Sequence, residues 1–238
     1  MIKLDRVTKV VGRGKTAKAV FRDMSITLPT DRRLAILGLP GSGKTTLISL
    51  LAGIEKPGGG TVSRYSRLSY PVGYARTLRM ALSMRLNAKF TARIYGCDPN
   101  EVSNFLEKAL GLEAIFDIPM KRLPARDKFA FAYALTYTLP FDSYLIDGNL
   151  GGPPGPHRTK ILALCEARSD TSGMIFATSH VHTARKLCDM AAIIVDKRLV
   201  LYEDIEEAFD VFQELHDKHS MEAALSDVEG AFDEIEEV

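Results

Sequence analysis

Apolar and polar residues alternate along Met1 to Val7 and again along Val20 to Leu28, with the glycine- and lysine-rich stretch Gly12 to Lys18 between them. A period of two is the pattern of a half-buried strand, so the opening predicts a β-hairpin. Arg33 to Leu37 (RLAIL) is a short, almost wholly apolar run that leads into a glycine loop, and Thr45 to Gly53 follows at helical spacing with a terminal glycine. Pro57, Gly58, Gly59 and Gly60 predict a turn. Helical stretches are expected at Leu78 to Arg93, at Glu101 to Leu110 and at about Lys128 to Leu139, the last stopped by Pro140. Apolar strands recur at Tyr144 to Ile146, Met174 to Ala177 and Ala191 to Val195, separated by helix-length segments. That rhythm is the mark of an α/β fold, a parallel sheet flanked by helices. From Ile205 the apolar positions Ile205, Ala208, Phe209, Phe212 and Leu215 fall at helical spacing, predicting a docked helix whose acidic, poorly patterned end frays. No internal repeat is found.

The loop between the first buried strand and its helix carries the chemistry. Gly38-Leu-Pro-Gly-Ser-Gly-Lys44-Thr45 matches G-x-x-x-x-G-K-[ST] in full, with a strand before it and a helix after it. Gly38, Gly41 and Gly43 let the backbone around Ser42 curl until its N–H groups face phosphate oxygens. The helix N-terminus adds positive potential. Lys44 is expected to reach the β and γ phosphates, Thr45 to hold Mg²⁺, and Thr46 to add a phosphate contact. The chain therefore reads as a P-loop NTPase binding ATP and Mg²⁺. Asp147, at the C-terminal end of an apolar strand, is the expected second magnesium-organising group, because open parallel sheets place ligands there. His180 follows the next strand in Ala-Thr-Ser-His, where a histidine is either a γ-phosphate contact or a packing or surface residue. His157, His182, His216 and His219 are read as packing or surface residues.

Composition narrows this picture. The 238 residues, 46% hydrophobic with 18 Gly and 11 Pro, suit an ordinary globular chain. No run approaches the roughly 18 apolar residues of a membrane span, and the N-terminal residues lack a signal-peptide core, which predicts a cytosolic protein. Cys97, Cys165 and Cys188 match neither a zinc nor a redox spacing and are expected to be reduced packing residues. The net charge of +1 conceals a division: residues 201–238 hold 14 acids against one lysine, so the body is basic. No acid lies between Glu55 and Asp98, whereas Lys56, Arg64, Arg67, Arg76, Arg79, Arg85, Lys89 and Arg93 do. Such a run suits an anionic neighbour or the chain's own tail. Nucleic acid is not expected, since no helix-turn-helix, zinc or stacking motif accompanies the charge.

The segments GLPGSGKTTLISLLAG, Ser69-Tyr-Pro-Val-Gly73, Ala92-Arg-Ile-Tyr-Gly96, Phe141-Asp-Ser-Tyr-Leu-Ile-Asp147, Thr178-Ser-His180 and Leu187-Cys-Asp189 make the chain resemble an ATP-binding cassette subunit. The resemblance covers residues 1 to about 205 and points to the capsular or extracellular polysaccharide exporter branch. It implies a RecA-like parallel sheet with an N-terminal antiparallel β part and an inserted helical subdomain, about 75–140, followed by an acidic helical tail over 206–238. It also implies a membrane-embedded permease partner, a dimer with itself or with another ATP-binding subunit, and a cytoplasmic position on the inner face of the membrane.

Several positions depart from that pattern. Where the family has an adenine-stacking aromatic, near the end of Val7-Thr-Lys-Val-Val11, this chain is aliphatic. Arg79 stands where a glutamine senses the γ-phosphate, Pro124-Ala125-Arg126 replaces the serine–glycine signature, and Gly148 replaces the water-polarising glutamate. The loop beyond reads Gly151-Gly-Pro-Pro154. A positioned general base contributes about 10² to 10⁴ in rate, so these changes predict ATP binding with weak or absent hydrolysis. In the family's dimer the signature of one subunit covers the ATP of the other, so the two losses fall on two composite sites; Arg126 could instead offer a cation across the interface. The alternatives are an active ATPase energising export and a P-loop small-molecule kinase. A guanine-nucleotide switch is disfavoured by the lack of an Asn-Lys-x-Asp segment.

Overall fold

The structure, a computed structural model, describes the backbone of residues 1–236 and the side chains of residues 1–220 apart from residue 15. The expected hairpin is present as β1 (Ile2–Val11) and β2 (Lys18–Leu28), antiparallel with Ile2 opposite Leu28 and Val11 opposite Lys18. Its alternation buries Ile2, Leu4, Val7, Phe21, Met24 and Leu28 on one face. β1 outlasts the alternation because register shifts after Leu4 turn its side chains over.

After β3 (Arg33–Leu37) and α1 (Lys44–Ala52), the segment expected only as a turn forms β4 (Gly59–Arg64), which pairs with the free edge of β1. Glycine serves here because the Asp5–Arg6 backbone lies so close to Gly60, at φ +76°, that any side chain would strike the Arg6 carbonyl. A glycine run inside a strand looks like a turn when only composition is read.

The second sheet has the order β5 (Ser143–Asp147), β6 (Gly173–Thr178), β3, β7 (Met190–Val195), β8 (Arg198–Tyr202). β5, β6, β3 and β7 run parallel, and β8 pairs antiparallel with β7. β8 went unpredicted because its hairpin turn is made by Asp196 and Lys197, both at positive φ, rather than by a glycine. Leu34 and Ile36 of β3 point into a core shared with α1 and the hairpin, while Ala35 and Leu37 point into the opposite core. Both faces are covered, which is why these strands read as unbroken apolar runs.

Helices α2 (Met84–Ile94), α3 (Pro99–Leu110) and α4 (Ala125–Thr138) lie between β4 and β5. α2 begins six residues later than expected: Ser83 Oγ accepts the Leu86 N–H at 3.2 Å, and Asn87 holds the preceding chain through the Arg79 N–H at 2.8 Å. α5 (Arg158–Ser169), α6 (Val181–Leu187) and α7 (Ile205–Glu236) complete the chain. α7 docks as expected, burying Ala208, Phe209 and Phe212, with Arg185 paired to Glu206 at 2.8 Å. The acidic stretch expected to fray continues this helix; its side chains from residue 221 lie outside the described residues. Cys165 and Cys188 are buried free thiols, and Cys97 is a partly exposed one. No described helix is long and apolar enough to cross a membrane.

Candidate functional site

β3 is the middle strand of its sheet, so the loop after Leu37 emerges at the centre of the sheet edge. Gly41 (φ +76°) and Gly43 (φ +104°) adopt left-handed backbone that other residues enter only with strain. A Cβ at Gly43 would strike Val20 of β2, and one at Gly38 would strike the Ser42 hydroxyl. Gly43 thus meets both demands, of conformation and of space. Lys44 Nζ folds back onto its own loop, donating to Gly38 O at 2.6 Å and Leu39 O at 2.9 Å. Burial pushes the Lys44 ammonium below the usual lysine range, and the Asp147 carboxylate partly restores it. Ser42 Oγ is buried without a partner among the described residues. Thr45, the second residue of α1, is exposed beside it. These groups face a cavity of about 650 Å³, walled by Val11, Lys18 and Val20 of the hairpin and by Ile194, Asp196 and Lys197. An orphaned hydroxyl and an ammonium bound only to carbonyls, on a loop that leads into the N-terminus of α1, are a donor set suited to a polyphosphate.

Asp147 ends β5 near Lys44, whose charge it influences. Gly148 follows at φ +76° with open space where a side chain would stand. That space belongs to a second hollow of about 600 Å³, bordered by Gly148, Arg158, Phe176, His180 and Lys186. His180 therefore stands beside Gly148 rather than on the wall of the first cavity. Its N–H donates to Thr178 Oγ1 at 3.0 Å, and the neighbouring Ser179 Oγ donates to Gly38 O at 3.0 Å, tying the end of β6 to the loop.

The divergent positions are placed as follows. Arg79 is exposed. Pro124 begins α4 with no side-chain cap, and Arg126 is exposed at 3.6 Å from Asp127. Asp127, buried, meets His157 Nε2 at 3.1 Å, while His157 Nδ1 has no partner among the described residues. His157 is thus half of a polar pair beneath α4, more than the packing residue expected.

Two contributors were not singled out from the sequence. Ser179 lies inside the Thr-Ser-His segment, so the signal was present without a reason to separate it. Tyr133 packs against Gly73 and Gly152, close enough to Asp147 for that carboxylate, after burial, to raise the phenol above its usual range. Only tertiary packing brings Tyr133 there.

A strand, a glycine cradle, a following helix and an acid on the adjacent sheet edge define a P-loop nucleotide-binding domain. The ABC transporter family model matches residues 21–93. The chain is 31% identical to the capsule polysaccharide export ATP-binding protein CtrD of Neisseria meningitidis serogroup B, over 90% of this chain and 100% of that one. It is 30% identical to the ATP-binding protein BexA of Haemophilus influenzae, over 90% and 99%. The chain belongs to the ATP-binding cassette family of ABC transporters. The fold also matches that of a dimeric ATP-binding cassette, MJ0796, in a post-hydrolysis state bound to ADP and Pi, with a TM-score of 0.65 over 84% of this chain and 96% of that one at 18% identity. The small-molecule kinase alternative falls with the family assignment.

Proposed function

We propose that this chain is the nucleotide-holding subunit of a capsule polysaccharide exporter, binding Mg–ATP in the cradle Gly38–Thr46 and hydrolysing it weakly or not at all. The observation that carries the binding is the donor set of the first cavity: Gly41 and Gly43 in left-handed backbone, the unpartnered Ser42 hydroxyl, and Lys44 held only by carbonyls. Lys44 would move from those carbonyls to the β and γ phosphates. Thr45 and Asp147 would hold Mg²⁺, whose chemistry is to neutralise charge on the phosphates. His180 would contact the γ-phosphate from the neighbouring hollow.

Weak turnover is inferred from Gly148. It leaves about 10² to 10⁴ in rate unprovided, and its left-handed backbone would resist a replacement side chain. The exporter assignment is supported by the relatives' printed functions and by the outer face of α2. There Leu86, Phe90 and Ile94, four residues apart, are 51%, 50% and 62% exposed and unpartnered, a stripe suited to a permease on the inner face of the membrane. Residues 1–205 form the cassette, with the helical subdomain at about 75–140 and the tail at 206–238. A dimer, with itself or with another cassette subunit, completes the reading.

A calorimetric titration with Mg–ATP tests the binding. Saturable binding that Lys44→Ala weakens by about 100-fold is expected, as removal of a charged phosphate contact of about 3 kcal/mol implies. Equal binding by both proteins would overturn it.

A further inference from the structure

We infer that the hollow between α5 and α6 is a binding site for a small organic phosphate, separate from the cradle. This goes beyond the nucleotide reading, with which it shares only His180 at the rim. The hollow encloses about 600 Å³. Small-molecule pockets span roughly 300–1,000 Å³ and one water takes about 30 Å³, so a bare ion would leave most of this space unfilled.

Its lining divides into an apolar floor and a basic rim. Leu150, Leu162, Phe176 and Leu187 make the floor, with Leu150 and Phe176 buried. Arg158 of α5 stands on one side, and His180, His182 and Lys186 stand on the other, along α6. Among the described residues no carboxylate lines the hollow, and neither Arg158 nor Lys186 has an ion-pair partner. Two uncompensated cations and two imidazoles around a concave apolar surface favour an anion. Arg158 is already oriented: its Nη1 donates to Gly152 O at 2.6 Å and to Asn149 Oδ1 at 3.1 Å. Its Nε and Nη2 have no acceptor among the described residues. A held guanidinium with free donors meets a phosphate with little ordering left to do, and Lys186 adds a mobile point charge. The floor would cover the ligand's organic body, a gain that inorganic phosphate cannot collect.

The test uses phenyl phosphate as probe, titrated into the full chain by calorimetry, with inorganic phosphate and phenol as its two halves. Because a phosphate can also enter the cradle, each titration is run on wild type, on Lys44→Ala and on Lys44→Ala with Lys186→Glu. Lys186 is exposed, so its replacement leaves the core intact. Lys44→Ala should bind phenyl phosphate with a dissociation constant below about 1 mM, and about tenfold or more tightly than either half. Adding Lys186→Glu should weaken that binding by about tenfold or more. Binding that Lys44→Ala abolishes would place the probe in the cradle, overturning this inference and leaving the nucleotide reading standing. Binding unchanged by Lys186→Glu, equal binding of either half, or no saturable binding at millimolar probe would each overturn it as well, and none of these touches the cradle.

Discussion

Individual residues in the cradle have separable physical tasks. Gly43 is required twice, for its φ of +104° and for the approach of Val20. Gly43→Ala should lower stability by about 1–3 kcal/mol in urea unfolding, the usual cost of forcing a side chain into that region, and should abolish Mg–ATP binding. Wild-type stability would contradict the packing described. Lys44 behaves oppositely. Its pKa is lowered on folding, so keeping it charged opposes folding; that penalty is fully present below the folded pKa and vanishes above the unfolded value of about 10.4. Without nucleotide, Lys44→Met should be at least as stable as wild type at pH 7, with the gap closing as pH approaches 10 in thermal melts. Burial likewise pushes the Cys188 thiol up to about 12 and raises Cys165. Native protein at pH 8 should therefore be alkylated quickly at Cys97 alone, and denatured protein at all three cysteines.

Among the elements, the helices between β4 and β5 present one face to the core and another outward. Phe131 of α4 is fully buried, edge-on to Phe116 at 6.0 Å between ring centroids. Phe131→Ala should cost about 3–5 kcal/mol in chemical denaturation. Phe90→Asp, on the exposed stripe of α2, should leave the melting temperature within a few degrees while preventing assembly with a membrane partner. A large loss of stability from Phe90→Asp would mean that the stripe packs within this chain.

The elements also show what could be read in advance. β3, β5, β6 and β7 were legible because both faces of a parallel strand are buried, leaving an apolar run too short for a buried helix. β4 was hidden because its glycines answer to a neighbouring backbone, and β8 because Asp196 and Lys197 turn without glycine. The cradle was legible because a phosphate loop is a local device whose strand, glycines, lysine and helix are contiguous. Tyr133 beside Asp147, and the Asp127–His157 pair, depend on residues 14 and 30 positions apart meeting in space, which no local pattern encodes.

At the scale of the whole molecule, the proposed function is of a chain that keeps the groups for binding nucleotide and has lost the groups for turning it over. The cradle and Asp147 are in place on one sheet edge, whereas Gly148 borders an open hollow and Pro124 to Arg126 opens α4 without a serine. That combination suits a subunit whose nucleotide organises an assembly more than it fuels one. Steady-state phosphate release from Mg–ATP, measured on wild type and Lys44→Ala at nucleotide concentrations shown to saturate binding, tests this most directly. The account predicts release indistinguishable between the two and near background; sustained release from wild type that Lys44→Ala abolishes would contradict it.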